Sequence, residues 1–286
     1  MSECRFTLLD TGFCVHPEHV VLRNRRLRPM RFPALFALIE HPERGPILFD
    51  TGYGQPYVDA ARSTWTGRIY NRVTPVTTSP DQFAAARCRE RGVDPLDVSM
   101  VITSHFHADH VAGLVDFPRA EIVYLKSGWE RVARLGPMRA LTKGFLPSLI
   151  PVDFEVRSTP IEGDEWAPLG PEFSPFRRGV DLLGDGSLIV VALPGHAAGQ
   201  LGIFVRRTSA PDVFMIADAA WTERGFKEHI MPSRVTRLLF DDMEAYRYSL
   251  GLIGAFHRLH PETLIVPSHC QATRDRLVQM PPSCHN

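Results

Sequence analysis

The chain has 286 residues, enough to bury a substantial core in one large domain or two modest ones, so a small disulfide-stapled scaffold is excluded. Hydrophobic residues make up 44% and charged residues 22%, ordinary globular usage that argues against wholesale disorder, collagen and coiled coil. The 32 basic and 32 acidic side chains cancel, so the electropositive bias of a dedicated nucleic-acid binder is missing and nucleic acid is not an expected partner.

One local exception is the run Arg23, Arg25, Arg26, Arg28 and Arg31, which reads as a solvated loop or edge, with anion binding as its alternative. The longest apolar run, Leu188 to Leu193, suits a buried strand and is too short for a membrane span, so no membrane partner is expected. Residues 1 to 10 carry Glu3 and Asp10 and lack the apolar segment of a signal peptide, which makes the cytoplasm the expected location. Five cysteines, Cys4, Cys14, Cys88, Cys270 and Cys284, form no C-x-x-C pair and read as reduced thiols.

In chain order, Phe32 to Glu40 reads as a strand, His41 to Gly45 as a turn, and Pro46 to Phe49 as a second strand that delivers Asp50-Thr51-Gly52. Asp81 to Gly92 reads as a helix capped by Asp81, with Phe83, Ala84 and Cys88 on one face. Strands follow at Val98 to Thr103, which runs into Ser104-His-Phe-His-Ala-Asp-His110, and at Ala120 to Leu125. Residues 136 to 187, rich in proline, glycine and charge, read as an insertion or covering loop that shapes a pocket.

The strand pattern resumes at Ser187 to Leu193, ending in Pro194-Gly-His196, and continues through Leu201 to Val205 and Val213 to Ala217, which ends in Asp218. Asp241 or Asp242 caps a helix with Met243, Tyr246, Leu250, Ile253 and Leu259 on one face. Thr263 to Val266 is the last strand, leading to Pro267-Ser-His269. Strands alternating with helices, twice over, point to an α/β fold in which two packed sheets are covered by helices on both outer faces, a four-layer αββα sandwich in a single domain spanning 1–286.

The chemistry concentrates in His105, His107, Asp109 and His110, four potential ligands within six residues. Imidazole and carboxylate suit borderline divalent metals such as zinc, and alternation past a strand end lets several converge on one cavity. His105 and His107 project alike in extended backbone, while the tight Asp109-His110 turn faces a neighbouring point, which suggests two metals. The loop alone supplies too few groups; His196, Asp218 and His269, each directly after an apolar strand, are the expected additions. No G-x-S-x-G elbow or P-loop competes with this constellation.

Over roughly residues 32 to 275 these motifs resemble the metallo-β-lactamase-fold hydrolase superfamily. The resemblance implies that His105, His107 and His196 hold one metal, that Asp109, His110 and His269 hold a second, and that Asp218 bridges them, with Asp109 and Asp218 as the catalytic carboxylates. It also implies that Asp50, in the strand-Asp-Thr-Gly element, orients ligands by hydrogen bonding. Two divalent ions, zinc first, with iron, manganese or cobalt as alternatives, would make hydroxide available near neutral pH for hydrolysis.

Within that superfamily the ligand pattern looks most like the N-acyl homoserine lactonase group, which implies a small-molecule lactone or other carboxylic ester as substrate. Glyoxalase-II-type thioesterases and phosphodiesterases or nucleases share the ligand set and stand as alternatives; a non-catalytic or redox relative is less favoured, since a silent binder would ordinarily have lost a ligand and the family's redox relatives usually place Glu where His107 stands. Lactonases of the group often carry tyrosine three residues past the bridging aspartate, where this chain has Trp221. An indole donates a hydrogen bond but is no practical proton source, so either Trp221 only walls the pocket or the lactone reading fails. Tyr53, Trp65, Tyr70 and Phe145 are further pocket-wall candidates, consistent with an apolar or acyl-bearing substrate. Assembly into a homo-oligomer is compatible with the sequence.

Overall fold

The computed structural model describes residues 3–23 and 26–278; Arg25 of the arginine run, Cys284 and His285 lie outside them. Among the described residues thirteen strands form two sheets. The first contains β1 (Arg5–Pro17), β2 (Pro29–His41), β3 (Gly45–Phe49), β4 (Val76–Thr77), β5 (Met100–Ile102), β6 (Glu121–Leu125) and β7 (Ser158–Ile161). Its spatial order is β4-β1-β2-β3-β5-β6-β7. The second contains β8 (Ala167–Pro168), β9 (Arg178–Asp181), β10 (Leu188–Ala192), β11 (Leu201–Val205), β12 (Val213–Ala217) and β13 (Leu264–Pro267), in the order β13-β12-β11-β10-β9-β8.

Side-chain alternation builds the layers. Along β2, Leu35, Ala37 and Ile39 point to one side and meet Val190, Ile203 and Met215 of the second sheet, so the core between the sheets is aliphatic. Phe36 and Leu38 point the other way, against Tyr57, Ala60, Ala84 and Cys88 of the helices Gln55–Ser63 and Ala84–Glu90. On the far side, Phe204 and Phe214 stack at 3.9 Å between ring centroids and pack under Phe256 of the helix Met243–Leu259. The four layers expected from the sequence are thus helix, sheet, sheet, helix.

Several expectations need correction. β1 lies in a stretch the alternation did not reveal, because its register shifts between Asp10 and Phe13. Asp81 does not cap a long helix: Pro80–Gln82 forms a separate 3-10 turn, and the helix begins after Phe83. Residues 136 to 187 are more than a covering loop, since they contribute β7 to one sheet and β8 and β9 to the other. Those strands are short and partly exposed, with Pro160 in the edge strand β7, and so lack the long apolar runs that announce a strand. Asp242 does cap Met243–Leu259, accepting from the amides of Glu244 and Ala245, but Leu259 is 59% exposed and does not belong to the buried face.

Strand direction places the site. β3, β5, β6 and β7 run parallel, as do β12 and β13. Their carboxyl ends open on a common edge, the place where sheets of this kind carry ligands.

Candidate metal centre

Each chemically interesting side chain leaves from just beyond a strand. Asp50 follows β3, the segment His105 to His110 follows β5, His196 follows β10, Asp218 follows β12 and His269 follows β13. Two of these exits are strained: Asp50 (φ 62°) and Ala217 (φ 46°) lie in the left-handed region that non-glycine residues avoid. At Gly195 the backbone, with φ 128°, runs so close to the helix Met243–Leu259 that a Cβ would lie 2.1 Å from the amide nitrogen of Tyr246. The amides of Asp241 and Asp242 bond the carbonyls of His196 and Gly195 at 3.1 and 2.9 Å, fixing the direction in which His196 leaves the sheet.

All seven expected ligand side chains come together. They form two groups, His105, His107, His196 and Asp218 in one and Asp109, His110 and His269 in the other, and within each group one ligand atom per residue lies within 4.8 Å of the others. His196 Nε2 lies 3.1 Å from Asp218 Oδ2 and His110 Nε2 lies 3.4 Å from Asp218 Oδ1. His269 Nε2 is 3.1 Å from Asp218 Oδ1 and 3.4 Å from Asp109 Oδ2. Asp218 therefore faces both groups.

Outer hydrogen bonds set the imidazole tautomers. His110 Nδ1 donates to Asp50 Oδ2 at 2.8 Å, and His269 Nδ1 donates to the carbonyl of Pro33 at 2.7 Å. Asp50 also accepts from the amide and the hydroxyl of Ser104, both at 2.8 Å, and the Ser104 hydroxyl in turn accepts from His105 Nδ1 at 3.0 Å. With their Nδ1 protons committed, His105, His110 and His269 present Nε2 lone pairs inward. Sequence reasoning assigned no part to Ser104 or Pro33. Ser104 stood directly before the motif, whereas nothing in the sequence links Pro33 to His269.

The residues present fit divalent cations. His105 Nε2, His196 Nδ1 and Asp218 Oδ1 are buried without a hydrogen-bond partner among the described residues, and His196 Nε2 faces His107 Nδ1 across 2.9 Å. Buried lone pairs gathered this closely are costly unless an electrophile joins them. Burial, reinforced by neighbouring imidazoles, pushes His105 and His107 well below the usual histidine range, which favours the neutral form that a metal requires. Burial opposes charge on Asp218, His110 and His269 alike, yet their mutual attraction outweighs it, lowering Asp218 well below the usual carboxylate range and, with Asp50 and Asp109, raising His110 and His269 above the usual histidine range; a divalent cation would take the place of those imidazole protons.

Trp221 takes a part that its position in the sequence did not disclose. It is 9% exposed, and its Nε1 donates to Asp218 Oδ2 at 2.7 Å. Its ring meets His196 edge-on at 5.5 Å and Phe240 at 5.4 Å, so the indole is clamped in that pose. A small cleft of about 20 Å³ adjoins His107 and His196, lined by Phe106, Arg131, Lys143 and Leu239 among others. Tyr53, Tyr70, Trp65 and Phe145 are not among its lining residues. Tyr53 and Phe145 are buried in the core over the first sheet with Tyr70 packed against them, and Trp65 is 47% exposed. Lys143, whose ammonium is tied to the carbonyl of Phe240 at 2.6 Å, is the contribution of the 136–187 segment.

Comparison with known proteins agrees with this geometry. The N-acyl homoserine lactonase AttM of Azorhizobium caulinodans is 27% identical over 233 residues, covering 81% of this chain and 82% of that protein. The N-acyl homoserine lactonase AiiA of Bacillus thuringiensis subsp. kurstaki is 27% identical over 234 residues, covering 80% and 81%. Among solved structures, an N-acyl homoserine lactone hydrolase with the product N-hexanoyl-L-homoserine at its catalytic metal centre superposes with a TM-score of 0.72 at 18% identity, covering 96% of this chain and 97% of its own. AidC, a dizinc quorum-quenching lactonase, gives 0.64 at 14% identity, covering 94% and 88%. The family model for the metallo-beta-lactamase superfamily matches residues 31–209, and with that match the chain belongs to the metallo-beta-lactamase superfamily.

Proposed function

We propose that the protein is a dinuclear metal-dependent hydrolase that opens a lactone or related carboxylic ester. The observation that carries this reading is the convergence of His105, His107, His196, Asp109, His110 and His269 on two adjacent points that share Asp218. In this assignment His105, His107 and His196 would hold one ion and Asp109, His110 and His269 the other, with Asp218 available to both. Two divalent cations held there, zinc in our reading, would supply Lewis acidity and make hydroxide available near neutral pH.

The chain's own residues do the rest. Asp50 and Ser104 keep the His105 and His110 lone pairs aimed inward, and the indole N–H of Trp221 fixes the rotation of the Asp218 carboxylate. In this reading Trp221 is a positioning residue: the hydrogen bond from its indole to Asp218 supports a role that needs no proton yielded. Phe106, Val132 and Leu239 form the apolar part of the cleft wall beside His107 and His196, and its charged lining is Lys143 and the ion pair of Arg131 with Asp241. Names of relatives with matching coverage favour a lactone over a thioester or phosphodiester. The four described cysteines are buried and free, which supports a reducing, cytoplasmic setting. We also take the chain as a single functional domain, because both sheets contribute to one core.

The deciding experiment supplies metal-reconstituted protein with four substrates in parallel: an N-acyl homoserine lactone, an aryl ester, a glutathione thioester and bis-p-nitrophenyl phosphate. Lactone opening, followed by proton release and lost on chelation, is expected to exceed the other rates. Turnover confined to the thioester or the phosphodiester would overturn the substrate assignment.

A further inference from the structure

The arginine run of the N-terminal region separates in the structure into three uses. Arg26 and Arg28 turn to the buried carboxylate of Glu18, and Arg31 lies over the ring of Phe13 at 4.6 Å. Arg23 goes elsewhere. It lines a cavity of about 110 Å³ together with Arg234, Arg237 and Arg247, over Met231 and Met243.

We propose that this cavity is a binding site for a phosphate dianion. Three separate segments contribute the four arginines to its lining. The Arg23 amide bonds the carbonyl of Met231 at 3.2 Å and the Ser233 amide bonds that of Val20 at 3.0 Å, so the two strips of chain are stitched side by side. Arg234 and Arg237 stand on one 3-10 turn, Arg234–Leu238, whose three-residue repeat places positions i and i+3 on the same side. Arg247 projects from the first turns of the helix Met243–Leu259.

Charge supplies the second argument. Some arginines of this chain are neutralised by carboxylates, as Arg87 and Arg274 are by Asp10, Arg157 by Asp153, Arg206 by Asp212 and Arg276 by Glu223, while others stand singly on the surface; the cavity differs from both in gathering four. Among the described residues none of the four cavity arginines forms such a pair, and no acidic side chain lines the cavity. The residues outside the described ranges include no Asp or Glu, so none of their side chains neutralises it. In a chain of zero net charge, four arginines lining one small cavity with no acid among its lining residues make a local positive field that an anion would offset, although all four side chains are exposed to solvent. A tetrahedral oxyanion suits the planar forks, each offering two parallel N–H bonds, and the cavity has room for several water molecules or one phosphate group. The methionines beneath would accept the carbon chain of a phosphate ester.

Calorimetric titration of the metal-loaded protein with inorganic phosphate and, in parallel, glycerol 3-phosphate tests this at low and raised salt. A site that weakens as salt rises is expected. In Arg237→Ala with Arg247→Ala its affinity should fall at least tenfold, while metal content and hydrolase turnover stay at wild-type values. Tighter binding of the ester than of the free ion identifies the ligand as an organic phosphate; equal binding identifies inorganic phosphate. Should the double variant melt early, Arg247→Lys replaces it, with an expected loss of about threefold because an ammonium cannot form two parallel bonds. Isotherms that are the same for wild type and variants would mean that phosphate sits at the metal centre or nowhere, and would overturn the proposal. Binding of single-stranded RNA but of neither phosphate probe would also overturn it.

Discussion

Glu18 is buried as deeply as Asp218, at 0% and 3% exposure, yet the two carboxylates are satisfied in different ways. Glu18 is met by Arg26, Arg28 and Arg224, whose side chains are 60%, 65% and 43% exposed. Long flexible arms reach in from the surface, keep much of their hydration and complete the carboxylate from within the chain. Asp218 is ringed by His110, His196 and His269, short rings that are themselves buried, and two of them have an Nδ1 proton already committed to Asp50 or Pro33. A buried acid surrounded by arginines is a finished structural element; a buried acid surrounded by imidazole lone pairs calls for cations.

The contrast is broken most severely by Asp218→Ala. Turnover is expected to fall by about 10²- to 10³-fold or more, with loss of bound metal measured by elemental analysis; retained metal and activity would show that Asp218 is no more than a structural acid like Glu18. Next in size, Trp221→Phe removes the N–H that holds Asp218 and should weaken metal affinity about tenfold, read by competition with a chelator. Wild-type affinity would confine the indole to the pocket wall. Glu18→Gln should lower unfolding stability by about 1–3 kcal/mol, measured by urea denaturation, and leave metal stoichiometry untouched; a drop in metal content would mean the two clusters are coupled.

The smallest effect concerns Glu223, a second internally completed acid. Burial opposes its charge, but hydrogen bonds from Lys227, Arg276 and Thr273 prevail and lower its pKa from 4.5 to about 2. A folded-state pKa below the unfolded one adds stability above about pH 4.5 that is lost as pH falls towards 2. Melting midpoints across that window should fall more steeply for wild type than for Glu223→Gln, and parallel curves would show that these hydrogen bonds contribute nothing to stability.

Residues with strong local signatures were readable before folding. The apolar strands Leu201–Val205 and Val213–Ala217 have the expected bounds, because burial on both faces demands continuous hydrophobic runs. β1 escaped notice because Asp10, Thr11 and Gly12 interrupt its pattern at the bulge. The helices Gln55–Ser63 and Trp65–Val73 leave little trace in the sequence because few of their residues are buried and Gly67 interrupts the second. That glycine is required where the helices touch, since a Cβ would lie 2.2 Å from the carbonyl oxygen of Ala60. At the site, the ligand types and their order were legible in H-x-H-x-D-H and the later strand ends, but their supporting bonds were not. Asp50 and His110 are 60 residues apart, and His269 and Pro33 are 236 apart.

The order of residues along the chain therefore determined which groups are offered to a metal and which strand delivers each, since both follow from side-chain chemistry and from apolar runs a few residues long. Only the packing of two sheets decided that these groups meet, which ring nitrogen each histidine turns inward, that Trp221 grips Asp218, and that four arginines from three segments face one cavity. The reason is geometric: those relations join residues far apart in sequence, and their distances are set by the sheet register and by the strained exits at Asp50 and Ala217, neither of which leaves a local trace in the sequence.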